Sequence, residues 1–323
     1  MKSSLKSNKQ KIIFSFLGET RMVQRNIAKY TTMAIMLLPA AIIIVVFLIA
    51  PSILTILISL TSLDYRFRWE WVGLSNYYRF LSDPNTPIFF RNTIIFVVGT
   101  LTFNVGVGLL LALLSTHIHD TIGTFLRAVW YMPRVLPSVV WAFVMMWMFS
   151  PMDTGFLNSL LKSMGGKPVP WTFQYYWPFL FIVNGFIGCS LGMVIFSSAI
   201  KSIPQELIMA AKVDGASGLT IVRRIILPLI KWQIAFVVAY QTLSLLASFE
   251  YILLTLDGGP GYYSTEVLIL QAYHLAFGQY LAAMRFGYAA VFVTILLVVG
   301  LVLSIIYWKV FRLRELMIEP KLE

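Results

Sequence analysis

Apolar residues fill this chain in long runs, and the polar positions collect between them. The runs near 31–62, 91–116, 128–150, 177–200, 233–256 and 286–311 predict six membrane-spanning helices, because several reach the roughly 18–20 apolar residues that cross a bilayer. Pro39 and Pro51 lie inside the first run, so a kink or an irregular end is expected there. One polar island stands out, from Ile203 to Ile230. Its punctuation predicts a short helix, a tight turn and a second helix. Pro204 suits a first helical turn, and Asp214-Gly215 stops the helix because glycine reaches the left-handed region cheaply. Ser217 caps the next helix and Pro228 closes it. A compact helical hook beside a membrane is a handle for a partner.

Composition supports the membrane reading. Hydrophobic residues make up 59% of the chain and the mean hydropathy is +0.80, beyond an ordinary soluble domain. The fold class is therefore an all-α polytopic membrane protein. Cys189 is the single cysteine, so neither an internal disulfide nor a cysteine-based metal site is available. His117, His119 and His274 share no metal-ligand spacing; the first two are two residues apart and point to different helix faces.

The net charge of +11 is distributed as a topology signal. With the N-terminus inside, the inner segments hold 17 Lys and Arg and the outer segments 5, while Arg91, Arg134 and Arg285 fall at boundaries. This bias places both termini and the hook in the cytoplasm. It accounts for the basicity without nucleic acid. The expected organisation is a basic cytoplasmic tail (1–30), a six-span domain (31–311) with a cytoplasmic loop at 201–232, and a cytoplasmic C-terminal tail (312–323). The N-terminal tail reads as no cleaved signal. Its Ile12–Ile27 stretch fits an amphipathic helix on the membrane surface and a disordered basic tail equally well. Trp69, Trp71, Tyr77 and Tyr78, and later Trp171, Tyr175, Tyr176 and Trp177, fit interfacial aromatic belts.

No Gly-x-x-x-x-Gly-Lys-Ser/Thr, His-Glu-x-x-His or Gly-x-Ser-x-Gly sequence occurs, so nucleotide hydrolysis and the common hydrolase chemistries have no motif here. Polar groups inside spans are costly and mark interiors or water-filled paths; Asn104, Asn184, Gln241 and Glu250 are the candidates. Tyr240, Ser244, Ser248 and Tyr251 recur at helical spacing beside Gln241. Two readings fit this stripe: a pathway on which aromatic rings stack on sugars while hydroxyls and amides bond them, and plain helix–helix packing. Glu250 leans toward function, while its place near the outer end of its span also fits a solvated carboxylate.

At the hook, Met209-Ala210-Ala211, three residues, Gly215, nine residues and Ile225-x-Leu227-Pro228 resemble the EAA loop of binding-protein-dependent ABC import permeases. Asp214-Gly215-Ala216 after Pro204-x-Glu206-Leu207 looks like the carbohydrate branch of that family. Further likenesses are Trp71 to Tyr77 with Asn92-Thr93, Met132-Pro133 and Pro137 to Trp147 followed by Gly155 and Asn158, and Thr255 to Pro260 with Thr265, Tyr273 and Phe277. Only about residues 1–28 stand outside the resemblance.

The resemblance implies a type I ABC importer permease fold and a transport subunit without catalysis of its own. Glu206, Met209, Ala210, Ala211, Asp214, Gly215 and Ala216 would form the ATPase-coupling element, and Asn184, Tyr240, Gln241, Ser244, Ser248, Glu250 and Tyr251 a substrate path. No cofactor belongs to this chain; ATP and Mg would be bound by partner ATPase subunits. The other implied partners are a second, homologous permease subunit, an extracytoplasmic solute-binding protein, a sugar and membrane lipid, in the inner membrane of a prokaryote. Met209 departs from the family's glutamate. Either Glu206, one turn earlier, supplies the polar contact, or Met209 packs into an apolar part of the partner's groove. An ion-gradient-driven secondary transporter and a structural membrane subunit are the rival functions.

Overall fold

A computed structural model describes residues 30–31, 33–278 and 284–311. The N-terminal tail with Ile12–Ile27 and the tail 312–323 lie outside the described residues. The chain divides into two units after Leu57. The first holds most of α1 (Met33–Ser59), whose mean hydropathy of 3.0 suits a bilayer. Pro51 does not break this helix. A proline lacks the N–H of the regular ladder and crowds the carbonyl four residues back. Here a π turn at Val45–Ile49 precedes it, with the Ala50 N–H donating to Val45 O, and the extra residue in the turn absorbs the misfit.

The second unit contains α2 (Ser75–Ser82), α3 (Thr86–His117), α4 (Asp120–Tyr131), α5 (Ser138–Met148), α6 (Phe156–Ser163), α7 (Tyr176–Lys201), α8 (Gln205–Val213), α9 (Lys231–Leu246), α10 (Glu250–Thr255), α11 (Leu268–Phe277) and α12 (Phe286–Val310). No strand forms among the described residues; a lone antiparallel bridge joins Thr61 and Trp71. Four helices, α1, α3, α7 and α12, are each long and apolar enough to cross a membrane.

Two of the six expected spans take another form. The stretch 128–150 is a bent pair: Asp120–Val135 and Ser138–Met148 meet at 103°. Pro133 and Pro137 flank the corner, and Leu136, directly before Pro137, is extended at ψ 142°, as a residue preceding proline prefers. The stretch 233–256 is interrupted. It forms α9, then a break at Ala247–Phe249, then α10. At the break Ala247 and Ser248 donate to carbonyls only three residues back, and this tightening turns the chain out of the α ladder.

The most extensive helix contact is α3 on α7. Between apolar helices in lipid, association rests on close packing rather than on hydrophobic burial. Gly108 shows how close: a Cβ there would lie 2.8 Å from Cys189 O and 3.2 Å from Met193 N, both backbone atoms of α7. Asparagines fasten the loops. Asn76 Nδ2 donates to Ser59 O and Thr61 O at 2.9 and 2.8 Å. Asn92 Nδ2 donates to Tyr263 O and Glu266 O at 2.7 and 3.0 Å. Asn158 donates to Ser150 O and Val169 O and accepts from the Val169 N–H and the Trp171 indole.

A polar clasp holds the loop between α10 and α11. His274 bridges two carboxylates, with Nδ1 2.8 Å from Glu266 Oε1 and Nε2 2.9 Å from Asp257 Oδ1. Glu266 is buried; the rings of Tyr273 and Tyr263 flank the group. The Glu266 hydrogen bond raises the His274 pKa above its ordinary 6.5. Burial raises that of Glu266, against the pull of His274.

Two outcomes are expected. Gly108→Val forces a methyl pair into α7 backbone and should destabilise the protein by about 1–3 kcal/mol, whereas Gly106→Ala, with nothing within 4 Å, should not lower its stability; thermal unfolding in detergent compares them. The clasp follows linkage: a folded-state pKa raised above the unfolded value gives stability that is complete below 6.5 and is lost as pH rises through the folded His274 pKa. Amide protection across 256–278 should therefore fall as pH rises above 6.5 through the folded His274 pKa, and His274→Asn should remove that step.

Candidate coupling surface and polar cavity

The hook is built on α8. Pro204 stands at its N-cap. At its end the Gly215 N–H donates to Lys212 O at 3.0 Å and the Ala216 N–H to Ala211 O at 2.9 Å, the paired bonds of a Schellman motif. Gly215 takes φ +79°, the left-handed region that a side chain disfavours. Ser217 then caps the next turn, its Oγ accepting from the Thr220 N–H at 3.3 Å. Pro228 does not close the helix that follows. A π turn at Val222–Ile226 comes first, with the Leu227 N–H donating to Val222 O, and the path continues through Leu227–Leu229 into α9. The device is the one used before Pro51, at the same spacing. It gives the hook a nearly continuous helical connection to α9.

One side of the hook packs inward. Ile203, Ile221, Ile226 and Ile230 are buried with Phe196 and Val237, and Ile208, Ala211 and Ala216 pack against them. The other side is open. Glu206, Met209, Ala210 and Val213 follow the i, i+3, i+4, i+7 spacing of one helix face, and all are exposed. Met209 is 61% exposed, Val213 88% and Leu219, past the turn, 78%. Asp214 and Gly215 are exposed at the turn itself. Glu206 shares the exposed face of Met209. Among the described residues it forms no ion pair.

Five of the seven expected path residues meet at one cavity of about 90 Å³. Asn184, Tyr240, Gln241, Ser244 and Ser248 line it together with Asn104, Arg134, Gly188, Leu191 and Leu245. Its polar groups are held by one another. Asn104 Nδ2 donates to Gln241 Oε1 in a short contact, and Gln241 Nε2 donates to Gly188 O at 3.2 Å. Asn184 Nδ2 donates to Ser248 Oγ at 3.3 Å. These bonds link α3, α7, α9 and the break after α9. Asn104 Oδ1 is buried and finds no donor among the described residues. The space is polar and admits water.

The other two path residues lie elsewhere. Glu250 accepts from Ser138 Oγ in a short contact and lines an adjoining cavity of about 430 Å³ with Val139, Phe249, Leu253 and Tyr273; Ser248 lines both. Tyr251 is half-buried and packs on the apolar cluster around Leu245 and Ile252. The break between α9 and α10 separates Tyr251 from the stripe that helical spacing assigned to it, and Glu250 lies beyond the same break. Arg134 is the residue that sequence reasoning placed at a boundary and missed. The signal was a cation between Pro133 and Pro137 inside the apolar run 128–150; the corner those prolines make brings it to the cavity.

Residues 104–312 match the family model described as "Binding-protein-dependent transport system inner membrane component". The chain is 32% identical over 285 residues to a probable ABC transporter permease protein of Pyrococcus horikoshii, covering 84% of this chain and 93% of the relative. It is 30% identical over 285 residues to the trehalose/maltose transport system permease protein of Thermococcus litoralis, covering 87% and 94%. In fold it is similar to a chain of a bacterial alginate ABC transporter crystallised in complex with an alginate pentasaccharide-bound periplasmic protein, with a TM-score of 0.74, 25% identity and coverage of 88% and 94%. With two thirds of its length matched by the family model and relatives aligned along most of theirs, the chain belongs to the binding-protein-dependent transport system inner membrane component family.

Proposed function

We propose that this chain is the permease subunit of an ATP-driven importer of carbohydrate, with both termini and the hook on the cytoplasmic side of the inner membrane. The carrying observation is the exposed apolar ridge of the hook, Met209, Val213 and Leu219, on an element whose other side is anchored in the core. An apolar surface so exposed at a loop calls for a partner, and the absent nucleotide motif makes an ATPase subunit the partner that supplies energy. Contact is mainly by packing, with Met209 filling the groove and Glu206 beside it on the same face as the polar contact. A homologous permease pairs with this chain, and an extracytoplasmic binding protein delivers the sugar.

The mechanism is alternating access. ATP draws the two ATPase subunits together, and the hook follows. Its helical connection through the π turn carries the displacement into α9, and α9 bears Tyr240, Gln241 and Ser244 at the cavity. Movement of α9 against α3 and α7 would carry these residues and reshape the cavity. Differential affinity of the two states for ATP and for the loaded binding protein drives the cycle.

Gly215 tests the coupling. Gly215→Val meets no steric neighbour within 4 Å yet strains the backbone at φ +79°, so membrane level should hold while sugar-stimulated ATP hydrolysis and uptake fall at least tenfold. Gly215→Asn, which tolerates the left-handed region, should keep most of both. Full coupling in the valine variant would overturn the docking role.

A further inference from the structure

The cavity's one formally charged lining residue is Arg134; Asn104, Asn184, Tyr240, Gln241, Ser244 and Ser248 supply neutral polar groups. Its depth makes the charge informative. Nη1 of Arg134 lies 3.4 Å from Ile187 O and 3.4 Å from Ser190 Oγ, and these residues stand at the middle of α7, Tyr176–Lys201. At 1.5 Å per residue that is about 18 Å from either end of the helix, the depth at which an ionised side chain is most costly and marks a functional position. Both contacts are long for hydrogen bonds. Nε and Nη2 have no partner among the described residues, and no carboxylate there forms an ion pair with this guanidinium. The nearest acid along the path, Glu250, is bonded to Ser138 and lines the adjoining cavity.

We infer that Arg134 is a specificity-determining residue of this cavity and that the sugar it receives carries a carboxylate. This rests on the reading of the cavity as the sugar path. A guanidinium offers a planar fork that pairs with a carboxylate through two parallel hydrogen bonds. A uronate ring supplies that carboxylate, while its hydroxyls match the amides and hydroxyls of Asn104, Asn184, Gln241, Ser244 and Ser248. Tyr240, half exposed beside them, offers a ring face for stacking. The bend at Pro133 and Pro137 serves this purpose, since a straight span would not carry residue 134 on a corner open to the cavity. Arg134 is exposed, so a neutral sugar forgoes the paired charge-assisted hydrogen bonds that a carboxylate supplies, and that difference is the source of selectivity.

The test uses the assembled permease–ATPase complex purified in detergent without its binding protein, so that selectivity reports on the membrane subunits. Trigalacturonate, its fully methyl-esterified neutral form and maltotriose are titrated calorimetrically. The wild type should bind the acid at least tenfold more tightly than the ester. Arg134→Gln should abolish that preference, and Arg134→Lys, a point charge without the fork, should keep part of it. Equal binding of acid and ester by the wild type overturns the inference without reference to any variant, and so does a preference that survives in Arg134→Gln. Tight maltotriose binding with no response to the acid overturns it while sparing the sugar path. Failure of all three saccharides to bind overturns the sugar path as well.

Discussion

The close approach of α3 and α7 is the contact on which the rest depends. In a bilayer there is little hydrophobic gain in bringing apolar helices together, so the pair is held by backbone surfaces that meet at Gly108 and by polar groups that satisfy each other between them. That approach brings Asn104 of α3 and the Gly188 carbonyl of α7 within reach of one side chain, Gln241 of α9. The cavity is thus a by-product of how three helices satisfy their polar groups at depth.

The second constraint is the backbone. Regular helix leaves no donor or acceptor exposed to lipid, so every departure from it has to be satisfied locally or open onto a polar space. The prolines show both outcomes. Pro51 and Pro228 are each preceded by a π turn that keeps the chain helical, and the second of these preserves a connection from the hook to α9. Pro133 and Pro137 instead make a corner. The corner and the break after α9 are the irregular backbone nearest the cavity, and both contribute lining residues, Arg134 and Ser248.

Much of this was legible in the sequence. The runs 91–116, 177–200 and 286–311 lie within α3, α7 and, within a residue, α12, because uninterrupted apolar length has one stable outcome in lipid. The hook was legible to the residue at Gly215 and Ser217, where glycine and hydroxyl chemistry act locally. The bent pair and the interrupted fifth run were not. Proline announces a disturbance, but the packing around it decides between a π turn and a corner. For the same reason Tyr251 left the stripe that helical spacing assigned it, and Arg134 entered the cavity. Met209 and Glu206 share an open face that periodicity alone foretold.

The central claim is that the open face of the hook is where an ATP-hydrolysing subunit docks. A photo-reactive residue placed at Val213, 88% exposed, tests it most directly when compared with the same probe at Tyr262, 75% exposed in the loop before α11. On illumination in native membranes, the account predicts an adduct with the ATPase subunit from position 213 and none from position 262. Absence of that adduct from 213, or equal adducts from both positions, would contradict it.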